Sequence, residues 1–450
     1  MSASPFDSAL YRDLFGDAEV GRLFSDSAEV RAMMLVLGAL AKVQGQAGVI
    51  PEMTGAFLHR AAMELQIDPA GLATATGQNG VTVPGLVAAM QKALEAPEHA
   101  PYLHWGATSQ DIQDTGLMLR LRQALSLIEA RLVTAARALA ELSEAEAETP
   151  MAARTYGQVA VPTSFGALVA SWGWPVLQTL ERLRALKPRL CVSLAGAGGT
   201  GTMLGPDPAA IRKALAEALS LADPGRSWHA ERSLIAEVAG LCVAVTATGA
   251  KPGEDLLILT RSDVAEVRLA GGGASSTMPQ KQNPVGPSVL VALARTAAAQ
   301  SAALAAPAPR EARDGAAWFT EWLILPGLVM AAGKSAALLA ETAAAITPDR
   351  AAMKARLSDP LGLIHAETLS FSLARVLPRP EAQAEVKRLA TQARETGTPL
   401  HDLVAAAHPE ATLPPLTGPT TLGTAPEEAR AFARAARAIG DGQAQSVNLD

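Results

Sequence analysis

Leu117, Leu121, Leu125, Ile128, Leu132, Ala135, Leu139 and Leu142 follow one another at steps of three or four residues, with neither glycine nor proline between them. That spacing draws a single apolar stripe along one α-helix. At 1.5 Å per residue such a helix is about 40 Å long or more. A lone stripe does not hold so long a helix in water, so partner helices must cover it. Comparable runs occupy residues 164–186, 229–269, 287–305 and 321–346. Five long helices in series imply an extended bundle, with association of several chains covering whatever stripe one chain leaves bare. Hydrophobic residues make up 49% of the chain but aromatics only 4%, so alanine and leucine supply the packing. Alanine is the best helix former, and small contact residues let helices approach closely. The expected fold is all-α.

The flanks of the bundle read differently. Val30, Met33, Leu37 and Leu40 form a helix that the Asp26/Glu29 spacing starts as a capping box and that Gly48 and Pro51 end. Two shorter helices then lead to about Pro101. After Pro348 the helices shorten and prolines gather in "TLPPLTGPTTLG". Three parts follow: an N-terminal helical domain over 1–103, a central long-helix domain over 104–346, and a small C-terminal helical domain over 347–450.

A net charge of −6 with no basic block excludes nucleic acid as the main partner. Cys191 and Cys242 lie in apolar settings and read as core residues, not as a disulfide or metal site. The start "MSASPFDSALYRD" lacks the basic and apolar regions of a signal peptide. No unbroken apolar run is long enough for a bilayer, so no membrane is expected and the protein reads as cytoplasmic. His59, His99, His229, His365, His401 and His408 show no metal-ligand spacing and read as surface or packing residues. Neither a metal nor a cofactor is expected.

Four polar stretches interrupt the apolar runs. "GAGGTG" formally matches G-x-G-x-x-G through Gly196, Gly198 and Gly201, but the structure-breaking "TMLGPDP" follows where a helix should open. A turn between bundle helices is the better account. "HWGATSQDIQDTG" precedes the longest helix, and its residues leave two readings open. The hydroxyls of Thr108 and Ser109 and the amide of Gln110 beside helix N–H groups suit a carboxylate, but Ser109 or Asp111 is equally an ordinary cap. "ARTYGQVAVPTSFG" (153–166) offers Arg154, Thr155 and Gln158 at another polar helix start, where the bland reading is a loop plus cap. The last, "GGGASSTMPQKQNPVGP" (271–287), combines glycine freedom with the stiffness of Pro279 and Pro284 and carries Ser275, Ser276, Lys281 and Asn283. A mobile segment bearing polar groups between two long helices is the makeup of a lid.

Three of these stretches together resemble one family. "ASSTMPQKQNP" closely resembles the GSSxMPxKxNP signature of the fumarase/aspartase superfamily. "GATSQDIQDT" looks like its first shared region and "RTYGQVAVPTSFG" like its second. "RDGAAWFTEW" is similar to the R-x-x-G-x-W-x-x-E-W segment of the adenylosuccinate-lyase branch. The resemblance implies three helical domains and a homotetramer with a twenty-helix core. It also implies active sites that each draw the three regions from three different chains. Most members eliminate fumarate through an aci-carboxylate intermediate, without a metal. Lyases of the superfamily usually carry a histidine where this chain has Tyr156 and a glutamate where it has Ser288, and the two work as a charge-relay pair. Loss of both resembles the cycloisomerase branch, in which one carboxylate of a muconate tricarboxylate closes a five-membered lactone during aromatic catabolism. Members of that branch tend to carry tryptophan at the Tyr156 position and "HKR" where this lid has "QKQ". By resemblance, Thr108, Ser109, Gln158, Lys281 and Asn283 hold carboxylates, His104 and Arg313 join them, and Ser276 and Met278 line the lid. Ser275 corresponds to the proton-transferring base, with Lys281 lowering its pKa and Tyr156 as the alternative proton carrier. The competing readings are an adenylosuccinate- or argininosuccinate-type lyase and a non-catalytic, crystallin-like relative.

Overall fold

The computed structural model describes residues 4–271, 273–274, 278, 281–305 and 309–439. The helices that position the site are α1 (Asp26–Gln46), α2 (Ser109–Ala145), α3 (Phe165–Leu186), α4 (Ser233–Leu259), α5 (Val285–Ser301), α6 (Gly315–Ala345) and α7 (Ala425–Ala438). The all-α expectation holds, since strands form only short two-stranded ladders among the described residues. Helix α2 is 37 residues long, about 55 Å. Its stripe from Leu117 to Leu139 is buried in one continuous apolar cluster, with α3, α6 and α7 packed directly on the helix.

The ends of several helices differ from the sequence expectation. Helix α1 is capped by the Ser25 hydroxyl, which accepts from the Ala28 N–H, and not by Asp26. Helix α4 ends at Leu259, before Ala265 at φ +52, and the chain then forms the strand Val267–Leu269, paired with Ile346–Pro348. The region read as a loop around residue 156 is a hairpin of β1 (Pro150–Thr155) and β2 (Gln158–Ser164).

A second apolar cluster joins α1 and the helices up to Leu94 with the start of α2 and residues 192–216. A third lies wholly within residues 363–416. After it the chain returns to the bundle as helix α7, whose Phe432 presses on α3. A Cβ on Gly173 would come within 1.9 Å of the Phe432 ring, so only glycine admits this contact.

Two helices, α4 and α6, are long and apolar enough to cross a membrane by length and composition, a correction to the expectation that no such run exists. Over half of each apolar window is buried inside the chain, where these helices pack on each other and on α5.

Candidate active site

The first candidate region sits where α2 begins. Thr108 and Ser109 are both buried at this helix start. The Asp111 carboxylate organises the surroundings by accepting from four groups: the N–H of Thr108 (2.9 Å), of Ala195 (2.9 Å) and of Gly196 (3.0 Å), and the ring Nε2 of His229 (2.8 Å). The glycine-rich stretch is therefore a turn pinned against the head of α2. Strand pairing in "LCVSL" is limited to one bridge between Cys191 and Ala222, and no helix opens at Gly201. Gly106 is required there, since φ is +71 and a Cβ would meet the Met203 carbonyl at 2.3 Å.

His104 is half-buried at φ +67. Burial pushes its imidazole pKa below the ordinary value, against smaller opposing effects of Thr108 and Asp111. Its ring is consequently neutral at neutral pH. Arg313 reaches the same end from the turn before α6, where its backbone N–H donates to Gln110 Oε1 at 3.0 Å.

Beneath this surface lies a buried ionic layer. Arg232 binds both oxygens of Asp114 (2.6 and 3.0 Å) and both of Glu321 (2.8 and 2.5 Å), and stacks over Trp228 at 4.6 Å. Trp318 Nε1 donates to Asp114 at 3.1 Å. Burial opposes the Arg232 charge, but the two carboxylates outweigh it and hold the guanidinium well above its ordinary pKa. Burial raises the Glu321 pKa, with Arg232 working against it. These groups lock the starts of α2, α4 and α6 to one another.

The second and third regions lie at the opposite end of the bundle. Tyr156 and Gly157 form the hairpin turn with φ of +53 and +72, the two-residue geometry that matches strand twist. Tyr156 and Gln158 are exposed at its tip. Arg154 Nη2 donates to Glu266 Oε1 at 2.8 Å, tying the hairpin to the segment that leads into the lid. The segment expected to form a lid is closed at its base by a short ladder in which Gly273 faces Asn283 and Ala274 faces Gln282. Gly271 stands at φ +76 before it. Lys281 and Met278 are exposed, and the Lys281 N–H donates to the Met278 carbonyl at 3.0 Å. Asn283 is half-buried and lines a cleft of about 320 Å³ with Pro284, Lys334 and Glu341. Ser275 and Ser276 lie outside the described residues.

Within one chain, His104, Thr108, Ser109 and Arg313 gather at one end, while Tyr156, Gln158, Met278, Lys281 and Asn283 gather at the other. Six non-glycine residues among those described have positive φ, and His104, Tyr156 and Arg313 are three of them. Such backbone costs about 1–3 kcal/mol at each position and concentrates where function fixes geometry. Sequence reasoning singled out Gln110 as a polar group at this helix start but missed its partners, and it missed the Asp111–His229 pair. The Thr108/Asp111 spacing was a usable capping-box signal, but nothing near His229 marks its carboxylate partner. Burial pushes the thiols of Cys191 and Cys242 up to about 11 and 12, so neither is a ready nucleophile.

A long-helix bundle that presents a Thr-Ser helix start at one end and a hairpin with a Gly-Ser-Lys lid sequence at the other defines a lyase of the fumarase/aspartase type. The chain belongs to that superfamily, for a family model described as "Lyase" matches residues 19–298. It is 36% identical over 396 residues to a 3-carboxy-cis,cis-muconate cycloisomerase of Pseudomonas aeruginosa, covering 86% of each chain. It is 35% identical to a nitrosuccinate lyase of Streptomyces davaonensis, covering 94% of each. The crystal structure of a 3-carboxy-cis,cis-muconate lactonizing enzyme from Pseudomonas putida superposes with a TM-score of 0.88 at 30% identity. That match covers 96% of this chain and 99% of the other.

Proposed function

We propose that this chain interconverts 3-carboxy-cis,cis-muconate and 4-carboxymuconolactone, working in the cytoplasm as a homotetramer with sites shared between chains. In that reaction one carboxylate oxygen adds across a conjugated double bond and closes the lactone ring. A proton is delivered to the adjacent carbon, so nothing leaves the molecule. Negative charge develops on a neighbouring carboxylate as its aci-form, and fixed donors aimed at those oxygens lower the barrier. Thr108, Ser109, Gln158, Lys281 and Asn283 hold the carboxylates, with His104 and Arg313 beside them and Ser276 and Met278 on the lid. Ser275 transfers the proton. Its hydroxyl has no useful acidity alone, so Lys281 and the exclusion of water must lower its pKa. The three-part division at residues 103 and 346 belongs to the same reading.

The observation that carries this choice over elimination is the pair of positions that lyases use for a charge relay. Ser288 stands at one, and its hydroxyl is spent on the Pro284 carbonyl at 3.0 Å. Tyr156 stands at the other, fully exposed on its turn. Neither is a histidine–glutamate couple.

The nitrosuccinate lyase relative favours a second reading, elimination from a substituted succinate. Assaying purified protein with 3-carboxy-cis,cis-muconate, nitrosuccinate, adenylosuccinate and argininosuccinate separates the two. The cycloisomerase reading expects ultraviolet loss of the muconate diene alone. Release of nitrite or fumarate, with the muconate untouched, would replace it by elimination.

A further inference from the structure

Gln110, one residue past Ser109, is 1% exposed and has both ends of its amide engaged. Its Nε2 donates to the His229 carbonyl at 3.0 Å and its Oε1 accepts the Arg313 N–H at 3.0 Å. These partners lie 119 and 203 residues away in sequence. One neutral side chain therefore joins the head of α2 to the turn before α4 and to the turn before α6.

The Arg313 turn needs such a hold. Its φ is +61, a conformation in which a non-glycine residue persists only when its surroundings over-determine it. The guanidinium is exposed and has no hydrogen bond or ion pair among the described residues. Three residues earlier, Arg310 is locked onto Asp314, with contacts of 3.0 Å from Nε and Nη2. Of two arginines on one short turn, one is structurally committed, and the other is left available on backbone that is hydrogen-bonded to the residue after Ser109.

We propose that Gln110 is a positioning residue, fixing the strained turn that sets Arg313 against a carboxylate of a polyanionic substrate held at the Thr108–Ser109 helix start. This rests on the functional reading above. Glutamine suits the task because its amide satisfies a buried carbonyl and a buried N–H together, without adding charge. An apolar side chain would orphan both groups, and an acid would repel the substrate.

The test is a double-mutant cycle in steady-state turnover of 3-carboxy-cis,cis-muconate by the intact oligomer. Arg313→Ala and Gln110→Met should each raise KM about tenfold, the scale of one lost charge-assisted hydrogen bond, while kcat changes less than about threefold. The double variant should be no worse than Arg313→Ala alone, because the clamp acts through that arginine. A double variant whose KM rise is the product of the two single rises would overturn the proposal, as would a Gln110→Met variant that lowers only kcat. Arg313→Ala lies on an exposed turn and tests the proposal even if Gln110→Met does not fold, for an unchanged KM in that variant overturns it. Wild-type protein inert towards the muconate would overturn the functional reading and this proposal with it. Wild-type turnover with multiplicative losses would overturn this proposal alone.

Discussion

A Thr108→Ala, Ser109→Ala double variant and a Lys281→Ala variant should each be nearly inactive alone and should regain activity when mixed. The magnitude follows from the bundle. Helix α6, 31 residues long, is preceded by the Arg313–Gln110 contact and followed by the strand pairing Leu269↔Ile346. That separation is about 46 Å. The lid is closed at its base by Ala274 facing Gln282. Lys281 adjoins that pairing through Gln282 and so lies at the same end. Lys281 and Thr108 of one chain therefore stand far apart, and on the proposed function a complete site takes the two from different chains. If equal amounts are denatured together and refolded, each corner of a site is intact with even odds, so about a quarter of sites should be whole. Activity per mole, with the hybrid population measured by native mass spectrometry, is the assay. Hybrids that form but stay inactive would refute the reasoning and mean that each chain builds its own site.

Three further outcomes follow from the same geometry. Ser275→Ala should lower kcat about 10²-fold or more and Tyr156→Phe roughly tenfold at most; the opposite ranking would move proton transfer to Tyr156. Arg232→Met strands Asp114 and Glu321 in the interior and should cost about 3–5 kcal/mol in denaturant unfolding, whereas a loss under about 1 kcal/mol would mean the ionic layer is dispensable. Burial depresses the His104 pKa, so its contribution to stability is complete above the ordinary histidine value of about 6.5 and is lost as pH falls below it. The Tm of wild type should therefore drop further between pH 7 and pH 5 than that of His104→Gln, and equal drops would contradict the assignment.

The bundle was legible because its helices carry apolar residues at helical spacing over many turns, and burial of Leu121, Leu125, Ile128 and Leu132 is what that spacing demands. The head of α2 was not. Helix begins at Ser109, eight residues before the first leucine of the stripe, because Gln110, Asp111, Gln113, Asp114 and Thr115 are buried against polar loops and not against an apolar core. Hydrophobic periodicity cannot register a buried polar turn. The hairpin at residue 156 was missed for a related reason, since its turn uses Tyr-Gly where Asn-Gly is the usual signal. His229 looked like a packing residue because its partner, Asp111, lies 118 residues away. The candidate site was thus readable as three motifs, while the contacts that hold them became visible only in three dimensions.

The central claim is an intramolecular addition that releases nothing, and product analysis by proton NMR tests it most directly. Incubated with 3-carboxy-cis,cis-muconate, the protein should convert it one-for-one into 4-carboxymuconolactone, with no fumarate signal and with the same rate in the presence of a chelator. Persistence of the muconate, alongside fumarate released from nitrosuccinate or another substituted succinate, would contradict the account.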